Sequence, residues 1–375
     1  MTMQRAHPFD VVSRILSERV LGHEASDGLC AMIGSPDIDW DRVVGIASAQ
    51  FVLPAAAAAL RDLGLLKRLD DELGAFLAAV HAANTERNAE LRTELTAAVE
   101  ILCRAGIEPV LLKGAIRLAD RLYPDDGWRM LRDLDLLVPN AALADAIRAF
   151  EEGGYALIEG GALRREMGAC KIELHEELFP GSRQVQLLAA GTVLNESRHL
   201  AFEDEIVRIP SVEHQLVHLI GHSQLRHCGH AIGRICLRDR LEAAALLNWG
   251  CEAIDWQEVS TRFVAAGYRR PLLSFLLSLK DGAWGAVPVT GKIDPLTAVQ
   301  RRRIMLQARS RAFDCVGSWA GWCVSEFKSQ AQERDAGQLR AIKNLKRLVS
   351  ERGAIRRMAR AFVDRLEAEQ PEDVA

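Results

Sequence analysis

The sequence predicts an α+β protein in which a mixed sheet core sits between predominantly helical N- and C-terminal flanks. Three observations lead there. Apolar residues recur at intervals of three and four through residues 9–105 and again after Pro210, the spacing of one helix face. Between those stretches, short apolar runs bounded by proline, glycine and asparagine interrupt the helical period, as buried strands do. The chain is 49% apolar over 375 residues, enough to bury a full core and more than one structural unit.

Taken in order, the first hundred residues are helical territory, and residues 70–105 contain one glycine and no proline. Glu108-Pro109-Val110-Leu111-Leu112 then predicts a buried strand closed by Lys113-Gly114. Residues 115–123 return to helical spacing, Pro124-Asp125-Asp126-Gly127 is a turn, and residues 134–138 are a second apolar run stopped by Pro139-Asn140. A helix follows over residues 141–152, ended by Gly153-Gly154, and further strands are expected over 155–158 and 169–175. After Pro210, Ser211 is placed to cap a new helical series that is broken only near residues 282–294. The expected organisation is a helical region over 1–105, an α+β core over 106–210 and a helical region over 211–375.

Composition excludes several classes. No apolar stretch approaches the roughly 20 residues needed to cross a bilayer, and the first ten residues lack the apolar segment of a secretory signal, so a cytoplasmic protein is expected. Eight scattered cysteines without a C-x-x-C pair read as reduced thiols. A net charge of -4 offers no global attraction to polyanions. There is no Walker A loop, dinucleotide fingerprint, G-x-S-x-G or kinase signature.

The sharpest local feature is Asp133-Leu134-Asp135-Leu136-Leu137-Val138, two acids opening an apolar strand. Alternate residues of a strand share a face, so Asp133 and Asp135 point together while Leu134 and Leu136 point into the core. Two carboxylates aimed at one place repel unless a cation lies between them, and Mg²⁺ is the natural occupant because it takes oxygen ligands from carboxylates and substrate phosphates. Such a pair is the centre of a two-metal phosphoryl-transfer site. Glu173, in Lys171-Ile172-Glu173-Leu174-His175, offers a third carboxylate with His175 on the same face. By itself the D-x-D tripeptide also occurs in helix caps, turns and calcium loops.

These residues resemble a known family, the uncharacterised nucleotidyltransferases related to the DNA polymerase β and kanamycin nucleotidyltransferase superfamily. The resemblance is carried by Leu111-Leu112-Lys113-Gly114-Ala115, then Leu122-Tyr123-Pro124, then Arg129-Met130 and the Asp133 to Val138 run, in the order L-K-G, Y-P, R-x-x-x-D-x-D-L-L-V. Ile172-Glu173-Leu174-His175, His218-Leu219-Ile220-Gly221-His222 and Leu237-Arg238-Asp239 extend it, so that it covers residues 107–247. It implies a nucleotidyltransferase-type sheet core and transfer of a nucleoside monophosphate from an NTP, such as ATP, to an acceptor with release of pyrophosphate. It also implies that Asp133, Asp135 and Glu173 hold the metals, although an aspartate is commoner at the third place. Lys113 and Gly114 would meet the nucleotide phosphates where better-known relatives have Gly-Ser, and Arg129 would clamp a phosphate. The acceptor is left open among small molecules, peptides, proteins and RNA. A different class of reading is a catalytically silent protein that keeps the fold and binds a nucleotide or partner.

His214, His218 and His222 recur at i, i+4 and i+8, followed by His227 and His230, but no H-E-x-x-H or cysteine spacing completes a zinc site, which favours packing or hydrogen-bonding histidines with His222 near the cleft. Asp239 is expected to pair with Arg238 or a histidine. Residues 340–360 carry eight Lys or Arg residues against Glu351 alone, a basic amphipathic pattern that fits either a solvated face or contact with RNA, anionic lipid or an acidic acceptor.

Overall fold

A computed structural model of the chain describes residues 6–22, 24–158, 161–166, 168, 170–179, 186–250, 253–287, 293–310, 312–315, 317–318 and 321. The basic stretch over 340–360 lies outside the described residues. The chain divides into two compact units, residues 1–226 with 236–292, and residues 227–235 with 293–375.

The first unit opens with helices α1 (Pro8–Leu21), α2 (Asp27–Ile33), α3 (Trp40–Ala49), α4 (Leu53–Asp62) and the long α5 (Asp71–Arg104). Side chains cap several of them: Ser26, Asp39 and Asp70 accept hydrogen bonds from the first N–H groups of α2, α3 and α5, which are otherwise left without partners. The sheet region follows as β1 (Val110–Leu112), α6 (Lys113–Asp120), β2 (Asp133–Leu137), α7 (Leu143–Glu152), β3 (Ala156–Leu157), β4 (Leu163–Arg164), β5 (Lys171–His175), α8 (Ala190–Glu196), β6 (Arg198–Phe202) and β7 (Glu205–Ile209). Then come α9 (Val212–Gly221), which runs on into a π-helical turn at His222–Arg226, α10 (Gly229–Ile232), α11 (Leu237–Asn248), α12 (Trp256–Ala265), α13 (Arg269–Asp281) and α14 (Pro295–Arg309). Ser211 caps α9 as its sequence position predicts, accepting from His214 N–H. The expected break near 282–294 falls between α13 and α14. Of these helices, α10 and α14 belong to the second unit, in which Gln307 Nε2 donates to Ile232 O at 2.8 Å. No helix among the described residues is long and apolar enough to cross a membrane.

Seven strands form one mixed sheet in the order β3-β4-β5-β2-β1-β7-β6. β2 lies at its centre, antiparallel to β1 and parallel to β5. The strands expected over 134–138, 155–158 and 169–175 are present with slightly different ends. The β6–β7 hairpin and the two-residue β4 carry no expectation from sequence. One face of the sheet is covered by α5 and α7: Leu91, Leu95, Val99 and Leu102 from α5 and Ala146 and Phe150 from α7 pack with Leu111, Leu134, Leu136 and Ile172. Each of these larger side chains contributes about 1.5–3 kcal/mol by leaving water. Because Leu134 and Leu136 are drawn into this core, the intervening acids of β2 must face the other way.

Candidate active site

Pairing register assembles the site. In the parallel β2–β5 pair, Asp135 lies opposite Glu173 and Asp133 opposite Lys171. In the antiparallel β1–β2 pair, Asp135 lies opposite Leu112, so the next residue, Lys113, leaves the strand beside it. Lys113 has a left-handed backbone (φ 47°), a conformation that costs a non-glycine residue on the order of 1 kcal/mol.

Asp135 is the centre. Its side chain is only 2% exposed, and its Oδ1 accepts from Lys113 Nζ at 2.6 Å and pairs with His175 Nε2 at 2.7 Å. Burial alone would raise its pKa, but the His175 hydrogen bond and the Lys113 ammonium prevail and hold the carboxyl well below the usual range. Asp133 sits at the more open edge, 36% exposed, and its pKa is raised, first by burial and then by the like charges of Asp135 and Glu173. Lys171 Nζ donates to Glu173 Oε1 at 2.5 Å and lies 4.0 Å from Asp133 Oδ2. Three carboxylates are thus neutralised in part by two lysines.

Ligand atoms of Asp135, Glu173 and His175 all lie within 4.8 Å of one another, close enough to share one ion. Two carboxylate oxygens and one imidazole nitrogen suit a divalent cation, and the carboxylates suit Mg²⁺. Asp133 is outside that closest group, so the expected trio of Asp133, Asp135 and Glu173 is found as a neighbourhood in which His175 stands nearer to Asp135.

The other expected site residues are placed differently. The position a Cβ would take at Gly114 is filled by Leu131 Cδ2, so this glycine leaves room for a side chain of the core as well as opening α6. No side chain caps α6, which starts at Lys113. The resemblance implies that Arg129 clamps a phosphate. Instead its Nε donates to the buried Glu242 at 2.7 Å and its Nη1 to Met130 O at 2.7 Å. Glu242 also accepts from Arg117 Nε at 2.5 Å and Tyr123 Oη at 2.9 Å, making a buried cluster of opposed charges. Asp125 is held by Arg61 and His81, and Asp126 by Arg92.

The helical histidines are expected to be packing residues, with His222 near the cleft. Of His214 and His218, the two buried on α9, His218 is the one whose charge environment includes Lys113, Asp135 and His175. It is 6% exposed, its ring meets Phe179 edge-on at 5.6 Å and His222 at 5.9 Å, and its Nε2 has no hydrogen-bond partner among the described residues. Burial, and after it the Lys113 ammonium, push its pKa down to about 3, with Asp135 acting in the opposite sense. The i, i+4, i+8 spacing signals a shared face but not which histidine of it feels the charges of the site. His214 is engaged elsewhere, by Arg262 Nη2 at 2.9 Å, and the histidines of α9 form no metal cluster among the described residues. Asp239 pairs with Arg238 at 3.1 Å, as its sequence suggests.

Comparison with known proteins adds to this geometry. The model of an uncharacterised nucleotidyltransferase family matches residues 36–281, a wider span than the sequence motifs cover, reaching back through α3 to α5 and forward to the end of α13. No curated protein and no solved structure matches the chain. Since that match takes in more than half of the chain, and with it β1, β2, β5 and the carboxylates they carry, the chain belongs to the uncharacterised nucleotidyltransferase family, a family of nucleotidyl-group transferases.

Proposed function

We propose that the protein transfers a nucleoside monophosphate from an NTP to an acceptor hydroxyl in a Mg²⁺-dependent reaction that releases pyrophosphate. The observation that carries this reading is the convergence of Asp135, Glu173 and His175, with Asp133 beside them, at a place where a lysine and the uncapped start of α6 also arrive.

Asp135 and Glu173 would hold the ion, and Asp133 would supply the second carboxylate of the D-x-D pair. The bound ion would neutralise charge that develops on the transferring phosphate. Lys113 and the first N–H groups of α6 would meet the triphosphate, since a helix start favours an anion and an ammonium adds a full charge. The acceptor oxygen would bond to the α-phosphorus as the bond from phosphorus to the pyrophosphate oxygen breaks, the pyrophosphate leaving with that electron pair. Glu173 would take the acceptor's proton. Arg129, through Glu242, would hold the loop that leads into β2, and a direct phosphate contact would require it to leave that carboxylate.

Calorimetric titration with ATP, GTP, CTP and UTP, with and without Mg²⁺, tests the reading on the wild type and on the Asp133→Asn, Asp135→Asn double variant. The expected result is metal-dependent binding of one nucleotide that the variant loses while keeping its thermal transition. Binding of none of the four by the wild type would overturn it in favour of a silent fold.

A further inference from the structure

Lys113 does more in this structure than wait for a phosphate. Its ammonium already occupies Asp135 Oδ1 at 2.6 Å, the same oxygen that His175 Nε2 reaches at 2.7 Å, on a carboxylate that is 2% exposed to solvent. Asp135 therefore has little water to fall back on, and its counter-ion in this structure is an amine from the chain itself. The backbone of Lys113 is left-handed, an arrangement that persists in a non-glycine residue only where surrounding contacts determine it. Lys171 has the corresponding place at Glu173, 2.5 Å away, on the other carboxylate of the ligand group.

We propose that Lys113 is an internal counter-cation that competes with the divalent ion for Asp135, so that metal and nucleotide bind with strong positive coupling. Two cations on one buried carboxylate repel at short range in a medium of low dielectric constant. The ion's arrival thus demands that the ammonium leave, and a displaced ammonium needs another anion. The triphosphate of a nucleotide arriving at the start of α6 supplies one, within reach of a four-carbon side chain. Metal alone binds weakly because it must displace Lys113, and nucleotide alone binds weakly because Lys113 is engaged. Each ligand removes the other's obstacle, which is a reciprocal coupling between two sites. The proposal rests on the reading that a nucleotide and a divalent ion share this site.

The test is Mn²⁺ binding, read by the loss of the free-ion electron paramagnetic resonance signal, on the full chain with no nucleotide present. Lys113→Met removes the competing charge. Lys113→Gly removes it while also suiting the left-handed backbone, so it guards against a folding defect in the first variant. Both are expected to bind Mn²⁺ about tenfold more tightly than the wild type or more, about 1.4 kcal/mol by that factor. Lys113→Arg, which keeps the charge, should stay near the wild type. Adding ATP should tighten Mn²⁺ binding in the wild type and do so far less in the Met and Gly variants. Unchanged or weaker Mn²⁺ binding in both variants overturns the competition while leaving the metal site in place, provided Asp135→Asn abolishes the wild-type signal change. If no chain binds Mn²⁺ with or without ATP, the competition and the metal-dependent reading fall together.

Discussion

A methyl group added at position 114 would occupy the space of Leu131 Cδ2, and Leu131 is buried against the sheet. Gly114 is not in a left-handed conformation, so what it provides is room and not backbone freedom. Gly114→Ala is expected to lower stability by about 1–2 kcal/mol in urea denaturation, the usual range for overpacking. Combined with Leu131→Ala in the same chain, the total loss should be smaller than the sum of the two single losses, and strict additivity would refute the contact. The glycine in L-K-G was legible as a position that needs a glycine, but the residue that needs the room comes from the far side of a turn, which no local pattern reports. Asp133, Asp135, Glu173 and His175 were legible because period-two alternation inside an apolar strand specifies a face. Arg129 was not, because its partner Glu242 lies on α11, far along the chain, and only tertiary packing brings them together.

Among the elements, α5 acts as the anchor for the turn that feeds β2. Asn84 Nδ2 donates to Gly127 O at 2.8 Å and Arg129 O at 3.2 Å, while Asn88 Nδ2 donates to Asp126 O at 2.5 Å and Arg129 O at 2.8 Å. These backbone carbonyls have few alternatives once the turn is covered, so leaving them unpaired costs more than the hydrogen bonds themselves contribute. Asn88→Ala is expected to cost about 1–3 kcal/mol, seen as a lower thermal midpoint; a midpoint unchanged from the wild type would show that the turn holds itself. Sequence patterning is enough for the flanking helical regions, for α6 and α7, and for the four strands with clear punctuation, β1, β2, β3 and β5, but not for α8. It missed β6 and β7, whose alternation is weak: β6 is mostly exposed, as an edge strand is, and Ile206 of β7 points outward at 60% exposure. It also missed β4, which at two residues is too short to show a period.

For the molecule as a whole, the cluster around Glu242 ties together elements that are distant in sequence: Arg117 from α6, Tyr123 and Arg129 from the connection to β2, and Glu242 from α11. Burial by itself would raise the Glu242 pKa, but the Arg117 and Arg129 guanidinium groups outweigh it and push it down to about 2, from an ordinary value of 4.5. Between those two values the unfolded chain binds a proton that the folded chain refuses. The stability this carboxylate contributes is therefore complete above about pH 4.5 and is lost as pH falls toward 2. Glu242→Gln should be less stable near neutrality by about 3–5 kcal/mol, because the part-buried Arg129 loses its carboxylate partner and the buried Arg117 keeps only Asp120. Its thermal midpoint should also fall less steeply than that of the wild type over the acid window. Parallel pH profiles for the two proteins would show that Glu242 titrates normally.

The parallel pairing of β2 with β5 also bears on when the protein becomes competent. The two halves of the carboxylate cluster are made by separate stretches of chain, Asp133 and Asp135 first and Glu173 and His175 only after α7 and the strands β3 and β4 have been synthesised. Parallel neighbours cannot form as a local hairpin and need a crossover of chain between them. A chain made only as far as residue 170 therefore carries the D-x-D pair without the strand that supplies Glu173 and His175, so the grouping of Asp135 with those two residues waits for the synthesis of β5.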